Sequence, residues 1–239
     1  MWKLKEFFLK LKNNIIEGVF PSNYTCIFCD QDLPAGIICK DCEKQDIYNK
    51  GNRCKVCDMV IKEGNIICDH CKSHPKSFEK AYCAVKYNQH TKNAILKFKN
   101  DNAKYLAPKF AKLMFDNLTK ENAEFDIIVP VPSHEKSVKK RGYNPALVLA
   151  EQLSKICGKP VCDVLIKTVQ TQNQKSLNFQ QRQTNLENSI TLSDKKAIKG
   201  KKVLIVDDIL TTGATLNACA KLMTKTEKVI VCAFARRNI

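Results

Sequence analysis

The chain has 239 residues, of which 44% are hydrophobic and 27% are charged. This composition is typical of a folded globular protein and excludes a chain that is mainly disordered. There is no run of about 18 apolar residues and no signal-peptide core, so the sequence predicts a cytoplasmic protein without a membrane span. The net charge of +16 is unusual, as are the 13 cysteines. The charge suggests an anionic partner or a lysine-rich solvated surface, and clustered cysteines in a cytoplasmic chain indicate metal binding.

The N-terminal residues predict a short helix. Over residues 2–16, apolar side chains share one face at helical spacing: Leu4, Phe7, Phe8, Leu11 and Ile15. We therefore assign residues 1–20 to an amphipathic helix. Such a helix can lie on a membrane surface or pack on its own protein. We expect packing, because one short helix with few charges is weak evidence for membrane binding.

Residues 21–75 contain eight of the cysteines, arranged as four Cys-x-x-Cys pairs. A two-residue gap lets both thiolates of a tight turn face one ion, and two such turns complete a closed tetrahedral site. The pairs are Cys26 and Cys29, Cys39 and Cys42, Cys54 and Cys57, and Cys68 and Cys71. Their spacing predicts a double zinc ribbon with two structural zinc ions bound in sequential pairing, and it leaves a cross-braced pairing open.

From residue 78 to residue 239 strands alternate with helices, which predicts an α/β fold with a mostly parallel sheet. The expected strands cover residues 81–87, 126–131, 161–166, 202–206 and 229–234, and the expected helices cover 91–98, 103–118, 145–157 and 214–223. The polar residues 170–188 predict a long loop. This part also carries the charge: residues 73–239 contain 29 basic and 14 acidic residues, whereas residues 1–72 contain 11 and 10.

Residues 203–215, VLIVDDILTTGAT, are the most informative segment. Four apolar residues predict a buried strand, and two adjacent carboxylates follow it. A glycine-containing turn then leads into a helix, whose first N–H groups favour a phosphate. Because ligands of open parallel sheets bind at the carboxyl ends of strands, Asp207 and Asp208 are placed to accept hydrogen bonds from sugar hydroxyls beside that phosphate.

This segment resembles the motif that binds 5-phosphoribosyl-1-pyrophosphate (PRPP) in type I phosphoribosyltransferases. From about residue 20 onward, the chain resembles the ComF competence family, in which a cysteine-rich module precedes a phosphoribosyltransferase domain. The resemblance includes residues 129–132 (VPVP) and 141–144 (RGYN). In the polar loop it includes Gln174, Leu177, Arg182 and Asn185.

The resemblance implies roles for individual residues. Asp207 and Asp208 would be the catalytic residues that contact the ribose hydroxyls, and the 5-phosphate would be held by Thr211, Thr212, Gly213, Ala214 and Thr215. The segment after residue 132 would bind pyrophosphate, and the polar loop would close over the site. Basic candidates in these two segments are Lys139, Lys140, Arg141, Lys175 and Arg182, each of which also fits a solvated surface. Mg²⁺ would be carried mainly by PRPP, since this ion binds phosphates.

These features support functions from different classes. The first is a glycosyltransferase that moves phosphoribosyl from PRPP to an acceptor, with Mg²⁺, in a protein that acts in natural transformation. The second is a competence protein without catalysis, which senses PRPP or binds DNA together with other competence proteins. A nucleotide salvage phosphoribosyltransferase is a third.

A lysine-rich segment supports the binding of single-stranded DNA. Residues 76–112 contain nine lysines and two acids, interleaved with aromatic residues: Tyr82, Tyr87, Phe98, Tyr105 and Phe110. Grooves for single strands combine positive charge with stacking aromatics. Helical aromatics usually face the core, and we expect that arrangement for most of them.

Overall fold

A computed structural model describes residues 25–168 and 189–238. The helix expected over residues 1–20 lies outside the described residues, as does the whole polar loop over 170–188 with Lys175 and Arg182. The contacts between residues divide the chain into two compact units, Met1–Gln45 and Asp46–Ile239.

The described part of the first unit consists of one pair of cysteine turns. Thr25 and Asp32 form an isolated antiparallel bridge around the first turn. The second turn leads into helix α1, Lys40–Lys44, whose N-cap Cys39 accepts a hydrogen bond from the backbone N–H of Cys42. The sulfur atoms therefore replace the usual serine or aspartate cap of a short helix.

The second unit is built on a four-stranded parallel sheet. The strands are β1 (Ala81–Lys86), β2 (Ile127–Pro130), β5 (Lys202–Leu210) and β6 (Lys228–Arg236), and their order is β1-β6-β5-β2. A separate antiparallel pair joins β3 (Leu165–Lys167) to β4 (Ile190–Leu192). The four apolar residues that follow Lys202 in β5 are fully buried, as strands covered on both faces require. The predicted α/β fold with a mostly parallel sheet is confirmed.

Helices α2 to α7 belong to this unit. They are α2 (Asp69–Ser73), α3 (Gln89–Asn100), α4 (Ala107–Lys120), α5 (Glu135–Arg141), α6 (Pro145–Cys157) and α7 (Ala214–Lys221), and a 3₁₀ turn covers Lys104–Leu106. Local sequence explains their ends. Asn88 and Thr91 form a capping box at the start of α3. Gly158, with a φ of 72°, ends α6 in the left-handed region that favours glycine.

The second pair of cysteine turns covers the free edge of β1. The backbone N–H of Ala81 donates to the carbonyl of Val56 over 2.8 Å, and that of Cys83 donates to Oδ2 of Asp58 over 2.9 Å. Further along, the N–H of Lys86 donates to the carbonyl of Ile47. An exposed sheet edge offers unpaired N–H groups to other chains, so this covering both satisfies and protects β1.

The contacts between residues divide the chain after Gln45, whereas the composition predicts a boundary near residue 75. The domain assignments 21–75 and 78–239 describe cysteine content and charge, and they stay predictions. In the contact division, the second pair of cysteine turns falls in the same unit as the sheet, because it completes the hydrogen bonding of β1.

Most predicted elements are confirmed, and the structure differs from the prediction at several short elements and at the end of β5. Helix α5 and strand β4 were not predicted, because each is short and amphipathic patterns need more residues to stand out. Of the strand expected over 161–166, only the end enters β3, and Val161 instead forms an isolated bridge to Ile128 of β2. Asp207 and Asp208 lie inside β5 and not after it, because β5 stays paired with β6 up to Leu210.

Candidate functional site

A pocket of about 360 Å³ opens at the carboxyl ends of β2 and β5. The first turn of α7, helix α5 and the start of α6 complete its walls. Its lining includes Lys99, Ser133, His134, Arg141, Asn144, Lys167, Asp207, Asp208, Thr211 and Thr215. The pocket therefore brings together the predicted carboxylates, two of the predicted threonines and one predicted arginine, and it adds two lysines.

The two carboxylates differ in their partners. Asp208 is 6% exposed, and its Oδ1 lies 2.9 Å from Nζ of Lys99. Oδ1 of Asp207 accepts a hydrogen bond of 2.8 Å from the backbone N–H of Asp208. Burial and repulsion by Asp208 raise the pKa of Asp207 to about 7, although this backbone bond, Lys99 and Lys167 oppose the shift. The pair can therefore hold a proton near neutral pH, and it loses that proton to solvent when a cation or a hydroxyl donor binds to the carboxylates.

Residues 211–215 form the threonine turn, which leads from β5 into α7. Gly213 has a φ of 77° and is the N-cap of α7. A Cβ at this position would lie 3.3 Å from Cδ1 of Leu210, so both the conformation and the space favour glycine. The N–H of Ala214 donates to Oγ1 of Thr212 over 3.3 Å. Because glycine has no side chain to cap the helix, the N–H groups that follow in the first turn of α7 remain suited to an anion.

The three predicted basic residues of α5 differ in their position relative to the pocket. Arg141 lines the pocket. Lys139 instead forms an exposed ion pair of 2.7 Å with Glu135, and Lys140 is exposed on the same helix. Helical spacing explains the difference, since residues 139, 140 and 141 point about 100° apart around the axis.

The RGYN segment has a structural explanation. Gly142 ends α5 with a φ of 81°, and Tyr143 is buried with its ring centroid 5.9 Å from that of Phe98. Asn144 caps α6, donates to the carbonyl of Val131 over 3.0 Å and accepts from Oγ of Ser133 over 2.8 Å. This asparagine therefore fixes the loop that follows β2 and forms one wall of the pocket.

Sequence reasoning missed Lys99 and Lys167. Lys99 lies near the end of α3, and Lys167 is the last residue of β3. Their elements come from distant parts of the chain, and neither lies beside a motif. The one signal in the sequence was for Lys167, because a residue at the carboxyl end of a strand can lie at the same edge of the fold as the end of β5. The predicted strand ended at residue 166, one residue before Lys167.

The lysine-rich segment 76–112 mostly serves the fold. Tyr82, Phe98 and Phe110 are buried, and only Tyr105, at 50% exposed, is an exposed aromatic. Several of its lysines form ion pairs with acidic residues, among them Lys80 with Glu121, Lys86 with Asp46, Lys99 with Asp208 and Lys112 with Asp116. The expectation that most of these aromatics face the core is confirmed.

The eight cysteines form two groups in the sequential pairing. The first cluster is Cys26, Cys29, Cys39 and Cys42, the second cluster is Cys54, Cys57, Cys68 and Cys71, and within each the sulfur atoms lie within 4.8 Å of one another. A tetrahedral zinc ion with ligands at about 2.3 Å separates its sulfurs by roughly 3.8 Å. Cys29 and Cys39 have sulfurs 3.7 Å apart, and Cys57 and Cys68 have sulfurs 3.6 Å apart. Both donor sets therefore fit a structural zinc ion.

Backbone N–H groups prepare the first sulfur of each cluster, in Cys26 and Cys54, to bind metal as a thiolate, whereas burial and the neighbouring sulfurs raise the pKa of the last thiol, in Cys42 and Cys71. Burial raises the pKa of the Cys54 thiol, but hydrogen bonds from the backbone of the two turns outweigh it and bring the pKa to about 7. The same opposing effects bring the pKa of Cys26 to about 7. A lowered thiol pKa favours the deprotonated form that ligates metal.

Residues 107–239, more than half of the chain, match the phosphoribosyl transferase domain. The chain belongs to the phosphoribosyl transferase domain family. Strands β2 and β5 and the threonine turn, which line the pocket described above, all lie within the matched residues. In the described part of the chain, none of the helices has both the length and the apolar character needed to cross a membrane.

The chain is also similar to competence proteins along most of its length. Competence protein F of Haemophilus influenzae is 29% identical over 225 residues, which cover 90% of this chain and 97% of that protein. Competence protein ComFC of Streptococcus pneumoniae is 28% identical over 186 residues, with 77% and 73% coverage. DNA utilization protein YhgH of Escherichia coli K12 is 24% identical over 208 residues, with 84% and 90% coverage. The resemblance to the ComF family is confirmed.

Proposed function

We propose that the pocket binds PRPP and that the protein transfers its phosphoribosyl group to an acceptor. One observation carries the proposal: two adjacent carboxylates and a glycine-containing helix start meet in one pocket with three basic side chains, Lys99, Arg141 and Lys167. Asp207 and Asp208 would accept hydrogen bonds from the two ribose hydroxyls. The threonine turn would bind the 5-phosphate through N–H and hydroxyl donors.

The basic side chains would act on the leaving group. When the bond between ribose and pyrophosphate breaks, negative charge grows on the pyrophosphate and the ribose becomes cationic at C1. Arginine and lysine side chains placed beforehand stabilise that charge more than they stabilise the substrate. The oxygen donors of the pocket suit Mg²⁺, which would arrive bound to the phosphates of PRPP and help to neutralise them.

Calorimetric titration with PRPP, with and without Mg²⁺, tests the proposal. Asp207→Asn combined with Asp208→Asn should weaken binding about a hundredfold or more, because each charge-assisted hydrogen bond contributes roughly 1.5–3 kcal/mol. Asp116→Asn, which changes an exposed carboxylate on α4, is the control. Binding of PRPP by the double variant at wild-type affinity would contradict the proposal.

Two substitutions on α5 test whether the basic side chain that lines the pocket binds PRPP. Arg141→Ala should weaken PRPP binding, whereas Lys139→Ala should leave it unchanged, because Lys139 lies outside the pocket and pairs with Glu135. Equal effects of the two substitutions would show that only the overall charge matters.

We also propose single-stranded DNA as a second ligand, within a role in natural transformation. The net charge after residue 72 and the names of the similar proteins support it, while the burial of most aromatics argues for weak binding without sequence preference. Fluorescence anisotropy with a labelled oligothymidine should show a log–log salt slope of about −0.7 per phosphate contacted. Tyr105→Ala should weaken binding and keep that slope. No binding at low salt would leave PRPP as the only anionic ligand.

A further inference from the structure

Arg236, the last residue of β6, is 2% exposed and links two distant parts of the second unit. Nη1 donates to the carbonyls of Leu210 and Thr211, over 3.0 and 2.7 Å. On the other side, Nε donates to the carbonyl of Cys57 over 2.8 Å, and Nη2 lies 3.6 Å from Sγ of the same cysteine. One guanidinium therefore joins a ligand of the second cluster to the residues that begin the threonine turn.

The surroundings of this guanidinium lack the usual counter-ion. Its acceptors within residues 25–168 and 189–238 are backbone carbonyls and one sulfur, without a carboxylate among them. Burying a cation without an opposite charge is strongly unfavourable. Four thiolates around one zinc ion carry a formal charge of about −2, and hydrogen bonds to such sulfurs orient the ligands. A metal-loaded second cluster thus supplies the charge that Arg236 requires.

The carbonyls that Arg236 holds fix the direction of the next N–H groups. A trans peptide unit is planar, with its N–H pointing opposite to its C=O. Holding the carbonyls of Leu210 and Thr211 therefore turns the N–H groups of Thr211 and Thr212 away from the guanidinium. These N–H groups belong to the turn whose donors suit an anion.

Other contacts join the same two regions. The backbone of Thr212 lies close enough to the imidazole of His70, the residue before Cys71 in α2, to act on it electrostatically. The backbone N–H of Ser77 donates over 2.7 Å to Oδ1 of Asn217, a buried side chain of α7. The second cluster and its following linker thus approach the threonine turn and the helix that begins within it.

We propose that Arg236 is a positioning residue that couples the second cluster to the threonine turn. The metal-loaded cluster holds the guanidinium, the guanidinium holds the two carbonyls, and the turn keeps the conformation that binds phosphate. The coupling rests on the proposed function only in taking the phosphate of PRPP as the ligand of the turn.

Hydrogen exchange measures the coupling without PRPP. In the full-length, zinc-loaded protein, Arg236→Lys should speed exchange in residues 207–215, because a lysine cannot hold both carbonyls and Cys57 at once. Arg237→Lys is the matched control, since Arg237 is exposed and lies over Tyr87. Removing the metal from the wild-type protein with a chelator should speed exchange in the same segment. Unchanged exchange in both cases would overturn the proposal.

A second measurement uses the wild-type chain, in case Arg236→Lys does not fold. With Co²⁺ in the clusters, PRPP should shift the thiolate-to-cobalt absorption, because the turn, Arg236 and Sγ of Cys57 move as one network. A purely structural arginine would not transmit this signal. An unchanged spectrum at saturating PRPP would overturn the coupling.

Calorimetry separates the coupling from the proposed function. Arg236→Lys should weaken PRPP binding about tenfold or more at unchanged zinc content, whereas Arg237→Lys should not. Wild-type affinity in folded Arg236→Lys would overturn the coupling alone. If the wild-type protein bound no PRPP, the proposed function would fail, and the exchange experiment would still decide whether the cluster orders the turn.

Discussion

The two cysteine clusters have nearly the same local geometry in different settings. In each, a backbone N–H of the second turn lies close to the first sulfur, at 3.4 Å for Cys39 to Cys26 and 3.3 Å for Cys68 to Cys54. In each, an aspartate with positive φ follows the first turn, 60° at Asp30 and 61° at Asp58. Yet Asp30 is exposed, whereas Asp58 is buried. The local sequence therefore determines the geometry of each cluster, whereas contacts with distant parts of the chain determine whether the cluster takes part in the packing of the sheet.

Asp58 shows what the second setting adds. Its Oδ1 lies 2.9 Å from Nη1 of Arg53, whose Nη2 lies 2.6 Å from Glu121 at the end of α4. Its Oδ2 accepts the N–H of Cys83 in β1. The second cluster is thus part of the packing of the sheet, and losing its metal should destabilise more than the cluster itself.

The largest expected effect comes from removing one ligand from each cluster in turn. Cys54→Ser should lower the free energy of unfolding of the larger unit by about 4 kcal/mol or more, because structural zinc contributes directly to folding. Cys26→Ser should unfold its own cluster and leave the melting of the larger unit nearly unchanged. Calorimetric melting with metal analysis measures both, and the wild-type protein should contain two zinc ions per chain.

Either of two results would contradict this difference between the clusters. Equal losses of stability in Cys26→Ser and Cys54→Ser would show that both clusters support the sheet. One zinc ion per chain, with four reactive thiols in the folded protein, would show that only one cluster is a metal site.

The sequence predicted the local parts of this picture well. Spacing alone identified all eight cysteines of the two clusters, and apolar runs located most strands. Spacing could not show that Val56 and Asp58 pair with β1, since that contact joins residues about 25 positions apart without a pattern in either segment. The boundary expected near residue 75 followed composition, which records charge and cysteine content but not hydrogen bonds.

For the pocket, too, the sequence predicted the residues that are close together in the chain and missed those that come from distant segments. The strand, carboxylates and threonine turn lie in one continuous segment, so their proximity followed from the chain itself. Lys99 reaches Asp208 from α3, in a distant part of the chain, and Arg236 reaches the turn from the end of β6. In the sequence, a basic residue that lines the pocket cannot be distinguished from a lysine or arginine on the surface. Only the structure shows which of these residues are buried.

A smaller effect should distinguish the two equivalent aspartates. Asp58→Asn should lower the free energy of unfolding by about 2 kcal/mol or more, because it leaves Arg53 without its buried partner and weakens the bond to Cys83. Asp30→Asn, at the same position of the first cluster, should cost less than about 0.5 kcal/mol. Denaturant unfolding of the full-length variants measures both, and similar costs would mean that the turn itself, and not its setting, requires the carboxylate.

The smallest effect should appear in the metal affinity of the wild-type protein. Coupling between two sites is reciprocal, so if the loaded second cluster favours PRPP binding, PRPP must favour the loaded cluster. In an equilibrium competition with a zinc chelator, saturating PRPP should raise the chelator concentration needed to remove one of the two zinc ions by about fivefold or more, and leave the other unchanged. Arg236→Lys should abolish this protection, while Arg237→Lys should preserve it. Protection of both ions to the same degree would point to general stabilisation by the ligand, because the first cluster lies in the other compact unit.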